Sequence, residues 1–383
     1  MARIAPFALS LLALLLIGAG ESPTPNYAAD ARSIEQHVNE DYAYLERLEN
    51  GRLPLSGKLR AEAEAVDSRD SLIRYAERAL TTMADHHAIT GASLADSWAL
   101  VPSYSDLWVE PDFTISAVRE GSPAAQAGVR AGDRLVAVGA VPVAQAVDFF
   151  WADLCLPVTE ERAGYAARVL AAGRRNAPRH LRVARGAVQR DLELPNLYAV
   201  HREDRPPLAA GEQAGRLTIR FNDSLGDDAT IAAFDEAMAR ARPGQGVILD
   251  LTDTASGGNT SVARAIMSWF VNKPTSYQMH TLPAEKRQTG IARRWIEQVL
   301  PRPGKHHHGP VTVRVGRWTG SMGEGLALGF DAIGARVEGG PMAGLLGAIY
   351  DYKLEQSGLT IKFPVERLFH VDGTPREAFV PRR

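Results

Sequence analysis

The chain has 383 residues, which is long enough for two or three domains with a sizeable buried core. Its 43 basic and 45 acidic residues nearly balance, so the composition gives no electrostatic reason to expect binding to nucleic acid. The single cysteine, Cys155, excludes an internal disulfide framework, and no Cys/His spacing is typical of a structural zinc site.

The first 20 residues have the pattern of a secretory signal peptide. Arg3 precedes an apolar run over 4–20 that ends in small residues suited to cleavage. No cysteine follows this run, so a lipoprotein anchor is not predicted, and no later segment is apolar enough to span a bilayer. We therefore expect an exported protein, periplasmic or secreted, without stable membrane insertion after signal cleavage. An uncleaved membrane anchor is the alternative.

Residues 30–106 are predicted to form an N-terminal helical domain. The region is rich in Ala, Glu, Arg and Leu, and its apolar residues recur at helical spacing, as in Tyr42, Leu45 and Leu48. Such spacing is typical of amphipathic helices that bury one face.

Two adjacent histidines, His86 and His87, follow Asp85 where the helical pattern gives way to an apolar, strand-like segment. A neutral imidazole can accept a proton from a hydroxyl near physiological pH, so one of the pair is a candidate general base. The alternative is a surface helix end, where histidine interacts favourably with the helix dipole.

Residues 107–197 are predicted to form a second domain. The strand pattern of 113–118 leads into G-S-P-A-A-Q-A-G at 121–128 and G-D-R-L at 132–135. These segments match the strand, short helix and following strand of PDZ domains, so the region is similar to a PDZ domain. The hairpin pattern over 180–195 is placed in the same unit. A PDZ domain implies peptide binding by strand addition, and the residues that would bind the peptide remain unidentified.

Residues 210–383 are predicted to form an α/β core. Strand patterns at 216–221 and 246–251 flank a helical pattern over 228–240, and the second strand is an almost continuous apolar run. It opens into a turn at Gly257 and Gly258. The turn lacks the lysine and glycine spacing of a phosphate-binding loop, so nucleotide binding is not predicted. A glycine turn of this kind can instead present a backbone N–H to an oxyanion.

Ser321 lies in a Gly-flanked turn between the apolar strand 311–315 and a Gly- and Ala-rich helical segment. Backbone N–H groups and the helix dipole at a helix N-terminus can stabilise an oxyanion, which suits a nucleophilic hydroxyl. Helix capping by Ser321 is the alternative. Three further histidines, 306–308, lie among prolines and glycines, so we expect a solvated loop there and no metal site.

The helical region, the PDZ-like region, the Asp-Leu strand end with its Gly-Gly turn at 250–258, and T-G-S-M-G-E at 319–324 occur in this order. In this arrangement the chain resembles the tail-specific, or C-terminal processing, serine peptidases and their tricorn-like relatives. The resemblance implies a crotonase-like or ClpP-like α/β core. It also implies Ser321 as the nucleophile, with an oxyanion hole formed by Gly257 or Gly258 together with the N–H of Met322.

The general base follows from the same resemblance. Bacterial processing peptidases carry a base lysine in a turn after the serine helix, but the corresponding segment here, 341–347, contains no lysine. Tricorn-like members use a histidine donated by the helical domain. The resemblance therefore implies His87 as the base, with His86 in the place of a neighbouring serine that helps to orient it.

A third group that orients the base is expected near the C-terminus, where Glu377, Asp372 and His370 are all candidates. The predicted function is that of a serine endopeptidase or processing peptidase acting on exported polypeptides, without a cofactor. The alternative is a catalytically inactive protein of the same fold that binds peptides or an apolar ligand, because the family lysine is missing. The sequence is compatible with an oligomer.

Overall fold

The computed structural model describes residues 25–98, 105–199 and 205–381. The predicted signal peptide, 1–20, lies outside these residues. Within the described ranges, every helix is either too short or too polar to cross a membrane.

Three helices form the N-terminal region, and the short strand β1 follows them. They are α1 (Tyr27–Asp41), α2 (Gly57–Glu64), α3 (Arg69–Thr81) and β1 (Ile89–Thr90). The side chains of Asn26, Ser56 and Ser68 accept hydrogen bonds from backbone N–H groups in the first turns, which explains where the helices begin. The apolar faces of α1 and α3 pack into one core with the C-terminal strand residues Ile361 and Phe363.

The next region contains six strands and three helices. They are β2 (Leu107–Val109), β3 (Ile115–Val118), α4 (Pro123–Gln126), β4 (Arg134–Val138), β5 (Val141–Pro142), α5 (Val143–Ala152), α6 (Glu160–Ala172), β6 (Arg179–Arg185) and β7 (Val188–Leu194). β2 pairs with β3, and the other four strands form an antiparallel sheet in the order β5-β4-β6-β7. Ser122 caps α4, and Pro123 occupies its first turn, where the absence of an N–H costs nothing.

The C-terminal region alternates strands and helices. Its elements are β8 (Leu208–Gln213), β9 (Arg216–Phe221), α7 (Ala229–Ala239), β10 (Val247–Asp250), α8 (Thr260–Met267), β11 (Thr275–Thr281), α9 (Pro283–Thr289), β12 (Arg294–Val299), β13 (Val311–Val315), α10 (Met322–Ala332), β14 (Arg336–Gly339), β15 (Ala348–Lys353) and β16 (Thr360–Phe369). This alternation confirms the predicted α/β class.

Two sheets organise this region. One has the order β14-β13-β10-β9-β8, in which β14, β13, β10 and β9 are parallel and β8 is antiparallel. Its central strand β10 is buried, as its apolar sequence predicts. The other sheet has the antiparallel order β1-β16-β11-β12, with β15 also paired to β16. The domain boundaries predicted from the sequence stay a prediction.

These two sheets position the residues of interest. β10 and β13 are parallel neighbours, so the segments that leave their carboxyl ends lie side by side at one sheet edge, where α/β proteins commonly bind ligands. A backbone bridge between Thr254 and Thr319 joins the two segments. In the other sheet, pairing of Ile89 with Lys362 anchors the chain just after His87.

Candidate active site

The serine turn joins β13 to α10. Ser321 directly precedes the helix and has φ of 50° and ψ of −115°, a backbone conformation that a residue with a side chain rarely adopts. Surrounding contacts hold the turn, because Thr319 Oγ1 donates to the Leu251 carbonyl at 2.8 Å and Gly320 N–H donates to the Thr254 carbonyl at 3.2 Å. The Ser321 side chain remains partly exposed.

Glu324 ties this turn to the loop 344–347. Its Oε2 accepts hydrogen bonds from the N–H groups of Ser321 at 2.9 Å and Leu345 at 3.2 Å, and its Oε1 accepts one from Gly344 N–H at 2.8 Å. The carboxyl is buried, and this burial raises the pKa of Glu324 to about 7. Beyond its place in the first helical turn, Glu324 therefore joins the backbone of Ser321 to that of the loop 344–347.

The His87 imidazole faces the serine across the cleft. Its Nε2 lies 3.1 Å from Ser321 Oγ, and its Nδ1 lies 2.6 Å from the carbonyl oxygen of Leu346. A carbonyl can only accept, so Nδ1 carries the proton and donates it to Leu346. This tautomer leaves Nε2 with a lone pair directed at the Ser321 hydroxyl, which is the arrangement a general base requires.

The surroundings keep His87 neutral. Burial is the main cause that lowers the pKa of His87 to about 4; the nearby Arg376 guanidinium acts in the same direction, and the hydrogen bonds with backbone carbonyls act against it. Asp85 acts on the backbone: its Oδ1 accepts from His87 N–H at 2.9 Å and its Oδ2 accepts from Tyr42 Oη–H at 2.9 Å. The imidazole is therefore available as a proton acceptor at neutral pH.

The Gly-Gly turn after β10 lies directly against the serine. A Cβ added to Gly257 would lie 2.5 Å from Ser321 Cβ and 3.1 Å from Met322 N, and Gly257 has φ of +70°. The N–H of Gly257 donates to the Thr254 carbonyl at 3.2 Å. By contrast, the N–H groups of Gly258 and Met322 have no acceptor among the described residues. These two donors are therefore available for an oxyanion.

The His86 imidazole contacts Arg168 and Tyr165. Arg168 Nε donates to His86 Nε2 at 2.9 Å, and the imidazole stacks on Tyr165 with a centroid distance of 4.3 Å. His86 lines a separate cavity of about 210 Å³, whereas Ser321 and His87 share another. The two neighbouring imidazoles thus lie in different surroundings.

None of the three candidates for the third group forms a hydrogen bond with the His87 ring, whose nitrogens contact Leu346 and Ser321. Nδ1 of His370 lies 3.0 Å from Asp372 Oδ1, and the Thr374 N–H is the main cause that lowers the pKa of Asp372 to about 2. Glu377 is half-buried, and its Oε2 has no hydrogen-bond partner in the described part of the chain. The group that contacts His87 Nδ1 is instead the backbone carbonyl of Leu346.

Two functional features were missed by sequence reasoning. The segment 341–347, which lacks the family lysine, supplies the Leu346 carbonyl that orients the base. Arg376 was also missed: its Nη2 donates to the carbonyls of Leu345 at 2.7 Å and Gly347 at 2.8 Å. A backbone carbonyl carries no residue-type signal, and the only hint for Arg376 was its position beside Glu377.

The histidines 306–308 differ in part from the prediction. His306 and His308 are exposed, but His307 is buried with its Nε2 2.8 Å from the Gln245 carbonyl oxygen, so this loop is not fully solvated. Among the residues that the structure describes, no group of three or more His, Cys, Asp or Glu side chains is arranged to hold a metal ion.

Comparison with known proteins defines the fold. The PDZ domain family matches residues 114–149. The structure of a photosystem II D1 C-terminal processing protease is 16% identical with a TM-score of 0.57, covering 93% of this chain and 92% of that one. Mature CPAF complexed with lactacystin is 12% identical with a TM-score of 0.55 and covers the same shares, 93% and 92%. No curated protein matches the sequence.

The chain therefore has the α/β fold of the C-terminal processing proteases. The similarity extends over nearly the whole length of both partners, and the chain includes a PDZ domain. At identities of 12% and 16% these similarities define the fold, and the activity has to be argued from the site itself.

Proposed function

We propose that this protein is a serine peptidase that hydrolyses polypeptide chains, with Ser321 as the nucleophile and His87 as the general base. The observation that carries the proposal is the 3.1 Å distance between His87 Nε2 and Ser321 Oγ, combined with the Nδ1–H donated to Leu346. Capping alone requires no histidine at the hydroxyl. A nucleophile requires a base oriented in this way.

In the acylation step, Ser321 Oγ attacks the carbonyl carbon of the scissile peptide bond while its proton passes to His87 Nε2. The negative charge on the substrate oxygen is stabilised by the N–H groups of Gly258 and Met322, which lie beside the serine. His87 then donates the proton to the leaving amine, and the C–N bond breaks to give an ester on Ser321.

In the deacylation step, a water molecule attacks the ester carbonyl and His87 Nε2 takes its proton. The tetrahedral oxyanion again meets the same two N–H groups. Collapse of this intermediate breaks the bond to Ser321 Oγ, and His87 returns the proton to the serine. The acid product leaves, and the starting state of the site is restored.

The cavity that holds the two side chains favours an extended polypeptide substrate. It has a volume of about 720 Å³, and β1 and the residues after it contribute to its wall. Gly91 N–H donates to the Thr360 carbonyl, so Thr90, one position earlier in the antiparallel pair, turns its own N–H and C=O away from β16. These two groups have no partner within the described ranges, which leaves an open strand edge for a peptide backbone.

The test combines active-site labelling with proteolysis. A serine-reactive fluorophosphonate, followed by peptide mapping, should modify Ser321 of the purified full chain, and the protein should cleave casein, which is largely unfolded. Ser321→Ala should lose both properties. Ser93→Ala is the matched control, because Ser93 is an exposed serine that lines the same cavity. Lactacystin, with which CPAF was crystallised, is a second probe.

The results separate this proposal from the inactive binding protein. The inactive alternative starts from the missing carboxylate, because the Leu346 carbonyl at His87 Nδ1 fixes the tautomer but carries no full negative charge to stabilise an imidazolium. A protein that binds casein but neither labels at Ser321 nor cleaves would support that alternative and overturn the peptidase proposal. Labelling and cleavage that persist in Ser321→Ala would also overturn the assignment of the nucleophile.

The proposed site of action is outside the cytoplasm, in the periplasm or the medium. This part of the proposal rests on the signal-peptide pattern of residues 1–20. N-terminal sequencing of the protein recovered from cell fractions should give a mature start just after residue 20. Recovery of the intact N-terminus from the cytoplasm would contradict export.

A further inference from the structure

Arg376 occupies an unusual position beneath the site. It begins the short 3₁₀ turn Arg376–Ala378 and is only 3% exposed. Its Nη2 donates to the carbonyls of Leu345 at 2.7 Å and Gly347 at 2.8 Å, and its Nη1 donates to the carbonyl of Ser321 at 3.3 Å. One guanidinium therefore holds the backbone of the nucleophile together with the loop on the opposite side of the cleft.

The residue between the two loop carbonyls is the one that orients the base. Leu346 lies between Leu345 and Gly347, and its own carbonyl accepts the proton of His87 Nδ1 at 2.6 Å. Because Arg376 fixes the carbonyls on both sides, the Leu346 carbonyl has little freedom to turn away from the imidazole. A planar guanidinium with donors at fixed angles suits this role better than the single flexible ammonium group of a lysine.

The charged surroundings do not explain Arg376 as an ordinary buried ion pair. Within the described residues, none of its nitrogens lies within 4.0 Å of a carboxylate oxygen, and its Nε has no hydrogen-bond partner. Glu324 of α10, Glu377 of the same turn and Asp85 from the segment before β1 are the acidic groups around the site. Burying a cation whose donors bind carbonyls costs free energy, because no carboxylate balances the charge. The backbone geometry that Arg376 holds offers a reason for this cost.

We propose that Arg376 is a positioning residue that takes the place of the acidic third member of a serine–histidine triad. It acts through the loop 345–347, which holds the His87 tautomer, and through the backbone of Ser321. This inference rests on the proposed function. Arg376 touches neither the substrate nor the reacting atoms.

The substitution of a cation for an acid has a distinct chemical consequence. In a Ser-His-Asp triad the carboxylate stabilises the imidazolium that forms during proton transfer. Burial is the main cause that lowers the pKa of His87 to about 4, and the Arg376 charge adds to it by disfavouring that imidazolium, so the base stays unprotonated in weak acid. Arg376 thus orients His87 and also helps to keep it unprotonated, so the site should stay active at low pH.

The experiment uses the full chain and measures the rate of Ser321 labelling by the fluorophosphonate between pH 3.5 and 8. Arg376→Met should lower the rate at pH 7.5 by about 100-fold, the typical cost of displacing a reacting group by roughly 1 Å. The midpoint of the acid limb should also rise above the wild-type value of about pH 4, but stay below the ordinary histidine value of about 6.5, because the burial of His87 remains. Arg376→Lys keeps the charge, so its midpoint should stay close to that of the wild type while its rate recovers in part.

Arg367→Met is the matched control. Arg367 also donates to a backbone carbonyl, that of Ala43, but it lies on β16 and is partly exposed. Its substitution should leave the rate and the midpoint unchanged. Thermal unfolding of each variant reports the folded fraction, and a purely structural role would lower the rate in proportion to that fraction without moving the midpoint.

The outcomes separate the two proposals. A folded Arg376→Met variant with the wild-type rate and midpoint overturns the positioning role but leaves the peptidase proposal intact. If the Met variant does not fold, the Lys variant decides, and a wild-type rate at every pH overturns the role. Absence of labelling in the wild-type protein at every pH refutes the proposed function itself.

Discussion

The two walls of the cleft are built in different ways. The serine wall comes from two short segments, 250–258 and 316–324, which follow neighbouring parallel strands and each lead into a helix. The wall that carries His87 combines three segments distant in sequence, 85–87, 345–347 and Arg376. Ser321 is therefore positioned mainly by two loops that leave adjacent strands, whereas the His87 ring depends on three segments that are far apart in the chain.

This difference indicates how substitutions on each wall should affect the site. The strained backbone of Ser321 is held by the two adjacent loops, by Glu324 of its own helix and by one hydrogen bond from Arg376. The His87 ring is held by a contact with a residue 259 positions away in the chain. A change in the turns around Ser321 should therefore alter the site directly, and a change in the segments that support the His87 ring should act by loosening tertiary contacts.

The largest expected effect separates the two adjacent histidines. His87→Gln removes the base and should lower kcat by roughly 10⁵- to 10⁶-fold, as loss of the histidine does in a serine protease triad. His86→Gln should cost less than about tenfold, because His86 contacts Arg168 and Tyr165 in a different cavity. Casein cleavage by equal amounts of folded protein measures both. Equal losses in the two variants would contradict the assignment of His87 alone as the base.

The second prediction concerns the Gly-Gly turn. Gly257→Ala places a methyl group against Ser321 Cβ and Oγ and should lower kcat by about 10²- to 10³-fold, comparable to the loss of one oxyanion donor. Gly244→Ala is the control, because Gly244 has nearly the same φ, +73°, with nothing within 4 Å of an added Cβ. The two variants share the backbone strain and differ in the contact. If both retain activity, the turn does not shape the site.

The third prediction tests the link between the walls. Glu324→Gln keeps one acceptor oxygen for three backbone N–H groups, so the free energy of unfolding should fall by about 1–3 kcal/mol. Glu160→Gln, at an exposed first helical turn, should change it by less than about 0.5 kcal/mol. Urea denaturation measures both values. An unchanged stability in Glu324→Gln would show that this carboxyl does not hold the two walls together.

The pH dependence of stability gives the same residue a second signature. Because the pKa of Glu324 in the folded protein is raised from its ordinary 4.5 to about 7, the folded state binds its proton more tightly than the unfolded state does. The contribution of Glu324 to stability is therefore full below pH 4.5 and is lost as the pH rises toward 7. Glu324→Gln should remove this contribution from the dependence of the free energy of unfolding on pH. An unaltered dependence between pH 4.5 and 7 would exclude a raised pKa for Glu324.

The smallest expected effect is the response of kcat/KM to acid. With the pKa of His87 lowered to about 4, the base is still largely neutral at pH 5. Activity should therefore fall by less than about twofold between pH 7.5 and 5, whereas an ordinary imidazole would lose more than tenfold. Burial also raises the pKa of Asp85 to about 6. The pH profile of kcat/KM in Glu324→Gln shows how much Glu324 contributes to the fall in acid. A midpoint near pH 6.5 in the wild-type profile would contradict a buried, neutral His87.

The parts that could be predicted from the sequence are those encoded by neighbouring residues. The PDZ region is confirmed because its glycines and proline specify turns and a helix start locally. The α/β class is confirmed because strand and helix patterns alternate along the chain. The short distance between Ser321 and His87 follows from the family resemblance, and no local pattern could have shown that these residues meet.

The features that could not be predicted depend on backbone atoms and on tertiary packing. Leu346 contributes only its carbonyl, which every residue has, so its identity carries no signal. From the residues alone, the neighbours His86 and His87 are equal candidates for the base. The direction of each side chain is decided by the surfaces that pack around the turn. The roles assigned to His86 and Glu377 by the resemblance stay predictions.

The position of Arg376 also affects when the site can form during synthesis. Ser321 and His87 are both made before the segment that holds them in register. A ribosome-bound chain that stops before Arg376 therefore carries both reacting groups without the clamp that aligns them. We expect such a chain to be far less reactive than the full chain, because the two groups are aligned only when the segment with Arg376 packs against the cleft.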